Sequence, residues 1–359
     1  MEMNAVEKRL RENRIKYFAA GAVMAAGIAA VFLLGINLGD MKISLKEVWQ
    51  VIIGKMTNNS DMLAEVKKNT AAVVWEIRIP RIICGIFAGA GLGIAGVIFQ
   101  GILQNPLADP YTLGISTGAS FGAALAIYIN ISLGIYFPVS AAALISSLIT
   151  LAAVIFITKR GGGMESANLI IAGIIVSSIL SSGVSLIKML AGEDVGAIVF
   201  WLMGSLAAKS WNDAMLLMGS VIVFGTASVI FAKELDIMSL GDDTAHSLGI
   251  NTEKMRTFYL IIGAALSAVC VSVCGVIGFV GLIVPHLLRF WLTSSNRVLI
   301  PLSALTGAIL LSLADNAARI IASGEIPVGV ITTLIGGPFF IYIFTRSRIV
   351  AMSFCEPRS

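Results

Sequence analysis

Charge is scarce in this chain. Asp, Glu, Lys and Arg together make up 13% of its 359 residues, about half the ~25% usual in soluble domains, and that shortage excludes a water-soluble globular fold. Histidine is scarcer still. His246 and His286 lie far apart, and neither has a carboxylate, serine or cysteine partner at a spacing that would make an acid–base or nucleophilic centre. The four cysteines, Cys84, Cys270, Cys274 and Cys355, include no second clustered pair. Cys270 and Cys274 share a helix face, but two thiols alone do not hold a metal. No catalytic residue and no metal site is therefore expected. Lys and Arg gather at the ends of apolar runs rather than in one stripe, which leaves no footprint for nucleic acid. Nucleotide signatures fail on context. Gly91, Gly93 and Gly96 spell G-x-G-x-x-G inside an apolar run with no preceding strand, and Gly204–Ser210 lacks the second glycine that a phosphate loop needs before Lys209. No cofactor is expected on this chain; if ATP drives its work, another polypeptide binds it.

Apolar sequence is abundant. Mean hydropathy is +0.91, and runs near the ~20 residues that cross a bilayer lie at 17–38, 82–103, 111–131, 137–158, 167–187 and 211–232. A continuous apolar block at 257–292 follows, then 299–318 and 327–345. Read as one helix, the block leaves the termini on opposite sides. Split near Gly275 and Gly278, it puts both termini in the cytoplasm with most of the 25 Lys and Arg, as the positive-inside rule favours. The fold class is thus an all-α polytopic membrane protein with about ten spans. Its expected organisation is a cytoplasmic segment at 1–16, a membrane domain at 17–345 and a cytoplasmic tail at 346–359. The first run follows a basic head and is read as a retained helix rather than a secretion signal. Two long loops are the places for partners: an external one at 39–75, with an amphipathic piece from Ile43 to Ile53, and a cytoplasmic one at 233–256.

Within the spans, the 36 glycines serve close helix packing, and Gly85, Gly89 and Gly93 form a smooth ridge at four-residue spacing. Ser178, Ser181, Ser182 and Ser185 make a hydroxyl stripe on one helix face. The stripe either lines a wet pathway or bonds to carbonyls one turn back. Asp315 stands one turn before Arg319 and is expected to pair with it.

Five separated stretches together resemble the FecCD-type permeases, the iron-siderophore, haem and vitamin B12 branch of ABC importers. They read Trp75-Glu-Ile-Arg-Ile-Pro-Arg81, Gln104-Asn-Pro-Leu-Ala-Asp-Pro110, the Leu-Gly-x-x-x-Ala-x-x-Leu-Gly run from Leu240 to Gly249, Gly278-Phe-Val-Gly-Leu-Ile-Val-Pro-His-Leu-Leu-Arg289, and Glu325-Ile-Pro-Val-Gly followed by Gly337-Pro-Phe-Phe. The resemblance implies a type II ABC importer permease architecture, a homodimer in the bacterial cytoplasmic membrane, and a pair of cytoplasmic ATPase subunits that carry ATP and Mg. It also implies an external binding protein that delivers an iron chelate, haem or cobalamin. By the same resemblance Arg78, Arg81 and Arg319 are docking cations for that binding protein, with anchoring of helix ends as the alternative. Leu240, Gly241, Asp242, Asp243, Ala245, Leu248 and Gly249 form the coupling helix that meets the ATPase. The loop from Gly161 to Ala167, with Glu165, Ser166 and Ala167, matches the cytoplasmic gate; Glu165 departs from the small hydroxyl residue expected there. The competing reading from another class is an ion-gradient-driven secondary transporter. It needs several buried carboxylates around a cavity, and the spans offer chiefly Asp315.

Overall fold

The computed structural model describes residues 2–39, 41–321 and 326–355. Glu325 and the tail residues 356–359 lie outside the described residues. Among the described residues all regular elements are helical, as a bilayer requires of a chain that does not close a barrel, because hydrocarbon leaves no water to satisfy open backbone groups. The first helix, α1, runs unbroken over Glu2–Asn37, so the expected boundary at residue 16 is no break in the helix. The stretch after it is largely helical: α2 (Leu45–Met56), α3 (Ser60–Ala64), α4 (Lys68–Ala72) and a π-helical turn (Val73–Arg78) that leads into α5 (Ile79–Ile102). A capping box starts α2, with the Glu47 carboxylate accepting from Ser44 N at 2.9 Å and Ser44 Oγ accepting from Glu47 N at 3.3 Å.

The remaining helices are α6 (Ile115–Leu133), α7 (Val139–Arg160), α8 (Ser166–Ala191), α9 (Val195–Leu202), α10 (Trp211–Ile230), α11 (Ala232–Met238), α12 (Asp242–Ser247), α13 (Thr252–Cys274), α14 (Val280–Trp291), α15 (Asn296–Ile321) and α16 (Val328–Cys355). Among the described residues, eight helical stretches are long and apolar enough to cross a membrane, and Val280–Trp291 and Val328–Ile341 are shorter apolar stretches. The apolar block from Thr257 is therefore two helices, broken at Gly275–Phe279. The short α9 was not anticipated: its eight residues are apolar but too few to register as a span.

The centre of the bundle is α5, buried along most of its length and packed against α10, α13, α14 and α15. Its glycine ridge explains the position. A Cβ on Gly89 would overlap the Gly307 carbonyl and one on Gly93 the Ser303 carbonyl, both on α15. One turn further on, a Cβ on Gly96 would overlap the Gly281 carbonyl on α14. Lipid tails are as apolar as leucine, so the gain here comes from backbone approach and dispersion rather than from leaving water. Lys209, the cation of the imperfect phosphate-loop motif, donates to Val273 O at 2.7 Å and ties the segment after α9 to the C-terminal end of α13.

Candidate functional sites at the two ends of the bundle

The three arginines singled out in the sequence come together around the C-terminal end of α1. Arg78 donates from Nη1 to Ile36 O and from Nη2 to Met41 O, both at 2.6 Å. Arg319 donates from Nη1 to Gly35 O at 2.8 Å and from Nη2 to Leu38 O. The last carbonyls of a helix lack intrahelical donors and carry its negative dipole end, so cations collect there. Arg78 is 4% exposed, and Arg81 and Arg319 are partly buried. Presentation of Arg78 to another protein would require these bonds to open.

The expected Asp315–Arg319 pair is corrected by the geometry. Asp315 is held from α5 instead: Arg81 Nε donates to Oδ2 at 3.0 Å and Nη2 to Oδ1 at 2.9 Å, with side-chain exposures of 14% and 5%. A neighbour one turn along a helix is within reach, but Arg319 is already committed to the carbonyls of α1. A two-bond fork from Arg81 also fits a carboxylate better.

At the opposite end, the pattern Leu-Gly-x-x-x-Ala-x-x-Leu-Gly acquires a structural meaning. The helix between its two Leu-Gly pairs is α12. Gly241 and Gly249 bracket it at φ +110° and +81°, a region that side-chain-bearing residues rarely enter. Ala245 is fully buried against the bundle, whereas Leu240 and Leu248 are 68% and 60% exposed. Asp243 is exposed. The Asp242 side chain is 40% exposed, and its Oδ1 accepts from Arg256 Nη2 at 2.6 Å and from Gln104 Nε2 at 3.3 Å.

Sequence reasoning passed over Arg256 except as a loop boundary. Its guanidinium, 2% exposed, donates from Nε to Ile102 O at 3.2 Å and from Nη1 to Met164 O at 2.6 Å, besides Asp242. Met164 is buried in the loop predicted as the gate, while Glu165 and Ala167 are exposed and Ser166 is half-buried. Ser166 Oγ also donates to Ile102 O, at 3.2 Å. An arginine at the very edge of a long apolar block is the signal that would have found Arg256, since an ionised group there needs partners.

On α8, Ser178, Ser182 and Ser185 donate to Ile174 O, Ser178 O and Ser181 O at 2.9–3.0 Å. All four serines, Ser181 included, lie on the outer surface of the subunit. A cavity of about 540 Å³ opens between the end of α9, the Gly275–Phe279 break and the start of α16, with Asp109 and Tyr111 in its lining. Asp109 Oδ1 accepts from the backbone N–H groups of Tyr111 and Thr112 at 3.0 and 3.1 Å. Burial nonetheless pushes its carboxyl up to about 6.

Residues 27–346 match the FecCD transport family. This chain belongs to that family. Among its relatives, an uncharacterized ABC transporter permease protein of Bacillus subtilis is 37% identical over 95% of this chain and 96% of its own length. The cobalamin import system permease protein BtuC of Halobacterium salinarum is 36% identical over 80% of this chain and 77% of its own. A solved ABC transporter described as of the metal-chelate type, in an inward-facing conformation, superposes with a TM-score of 0.76 at 29% identity, covering 92% of this chain and 99% of that one. The FecCD chain described here is thus an integral membrane permease of the ABC-importer class. The family match spans both the arginine cluster at α1 and the Arg256 junction.

Proposed function

We propose that this FecCD permease works as a homodimer that imports a bulky iron chelate, haem or corrinoid across the bacterial cytoplasmic membrane. In this reading an external binding protein delivers the cargo, and a pair of cytoplasmic ATPase subunits, with their ATP and Mg, supplies the drive. The observation that carries it is α12: a short helix pinned on one side by Arg256 and Gln104 that offers Leu240, Leu248 and Asp243 outward. Two exposed leucines flanking an exposed acid suit an apolar-centred, polar-rimmed contact with another protein. Both termini and the segment 233–256 are then cytoplasmic, in a ten-span arrangement that counts α14 and α16. Arg81 and Arg319 form the partly accessible rim that receives acidic residues of the binding protein, and Arg78 holds α1. The Gly161–Ala167 loop is the cytoplasmic gate. The serine stripe of α8 faces the second copy and lines the pathway between subunits, where its hydroxyls keep spare acceptor capacity.

The ion-driven alternative loses its main candidate, because Asp315 is bound by Arg81 rather than open to a cavity. A direct test is uptake into proteoliposomes that hold the chain together with its ATPase and binding protein, with ferric siderophore, haemin and cobalamin offered in parallel. ATP-dependent uptake of one of these is expected. Leu240→Glu with Leu248→Glu should release the ATPase from the purified complex. Uptake that follows an imposed proton or sodium gradient without ATP would sink the proposal.

A further inference from the structure

Resting on the reading of α12 as the ATPase-docking element, we infer that Arg256 is a positioning residue that transmits displacement of α12 to the α7–α8 loop. Three elements remote in sequence meet at its guanidinium: the C-terminal end of α5 through Ile102 O, the α7–α8 loop through Met164 O, and α12 through Asp242. The fork is planar and rigid, so its donors cannot follow three partners that move independently. The guanidinium is 2% exposed, so on the side of Ile102 O and Met164 O, away from the 40%-exposed Asp242 side chain, a lost partner is not readily replaced by water, and an unpaired buried charge is costly.

The surrounding bonds tighten the same link. Gln104 donates to Met238 O at 3.0 Å and to the Asp242 carboxylate, which fixes α12 to the end of α11. Ser166, the first residue of α8, shares the Ile102 carbonyl with Arg256. A push on α12 therefore either carries Met164, Ser166 and the end of α5 along as one unit or breaks these charge-assisted bonds. The first is the lower-energy route.

The test uses the chain assembled with its ATPase subunits in nanodiscs, in a Cys355→Ser background with a single reporter, Glu165→Cys, in the exposed part of the loop. Cys84, Cys270 and Cys274 are buried. The readouts are the ATPase rate and the change in maleimide labelling of the reporter produced by Mg-ATP with vanadate. Arg256→Gln should keep hydrolysis within about twofold and shrink the nucleotide-dependent labelling change at least about fivefold, the lower end of typical site-to-site coupling. Arg256→Lys, which retains charge but not the fork, should fall between. A purely structural staple would lower yield or hydrolysis and leave the response intact in whatever protein folds. A wild-type labelling response in folded, hydrolysing Arg256→Gln therefore overturns the inference. If that variant does not fold, Asp242→Ala decides alone: it leaves Arg256 its two carbonyls and should lose the response, and a full response overturns the link. If the unmutated chain hydrolyses ATP in the complex but its reporter never responds, the gate assignment fails, and the transmission role with it.

Discussion

Removing Arg81 strands a buried carboxylate between α5 and α15. Asp315 is 4% exposed, and the Arg81 fork reaches it across the α5–α15 contact at 2.9–3.2 Å. Breaking a buried pair from one side costs about 3–5 kcal/mol, mostly from the charge left behind. Arg319, one turn along α15, offsets part of that field, so Arg81→Gln should sit at or below the lower end of the range. Asp315→Asn leaves a positive group that reaches water more easily, at 14% side-chain exposure, and should cost less. Arg81→Gln with Asp315→Asn should recover at least about 1 kcal/mol relative to the sum of the single changes, within the ~0.5–3 kcal/mol seen for contacting residues. The assay is reversible unfolding in mixed micelles, closed as a double-mutant cycle, with Arg319→Gln in place of Arg81→Gln as the control. Additive Arg81 and Asp315 effects, or a larger coupling of Asp315 to Arg319, would refute the assignment. The same variants separate docking from stability. Arg81→Gln with Asp315→Asn should weaken binding-protein affinity and flatten its salt dependence if Arg81 contributes to the rim, since screening would have less attraction left to remove.

Three further outcomes are expected. The proposed topology, with both termini and the segment 233–256 cytoplasmic, requires that a cysteine at Ser239 resist a membrane-impermeant thiol probe in intact cells and react once the membrane is opened; labelling in intact cells would refute that topology. Gly96→Ala drives a methyl into the Gly281 carbonyl and should cost upwards of about 1–3 kcal/mol. Gly219→Ala on α10 meets nothing within 4 Å and should be neutral or stabilising by up to about 1 kcal/mol; equal melting temperatures for the two variants would contradict the close approach of α5 and α14. Because the Asp109 carboxyl is raised to about 6 in the folded chain, the folded state holds a proton that the unfolded chain has released, and this group's contribution falls as pH rises from about 4 to about 6. Asp109→Asn keeps the oxygen acceptor and removes the charge, so the variant should gain thermal stability over the parent across that window; a pH-independent difference would show that the site is not desolvated.

Much of this architecture is legible in the sequence because the signals that make it are local. Length and hydropathy of the runs determined where helices form, since a bilayer admits few alternatives once backbone groups must bond within their own segment. The break in the long apolar block could be read near Gly275 and Gly278, and the four-residue glycine spacing marked α5 as a close-packing helix. The stretch from Leu240 to Gly249 was legible only as a resemblance, and its two glycines prove to flank α12 at positive φ. What remained hidden depends on encounters across the fold. Asp315 and Arg81 are 234 positions apart, and only the Gly89–Gly307 and Gly93–Ser303 approaches of α5 to α15 bring them into register, whereas sequence proximity pointed to Arg319. Arg256 reaches partners 154 and 92 positions away, so hydropathy shows it as the edge of an apolar run, and only packing turns it into a junction. The same holds at α1, where nothing in the sequence marked Arg78 and Arg319 as the groups that satisfy its last carbonyls. An ionised side chain is specified by whichever acceptors tertiary packing delivers to it, and those acceptors are mostly backbone carbonyls, which carry no residue identity for a sequence to reveal.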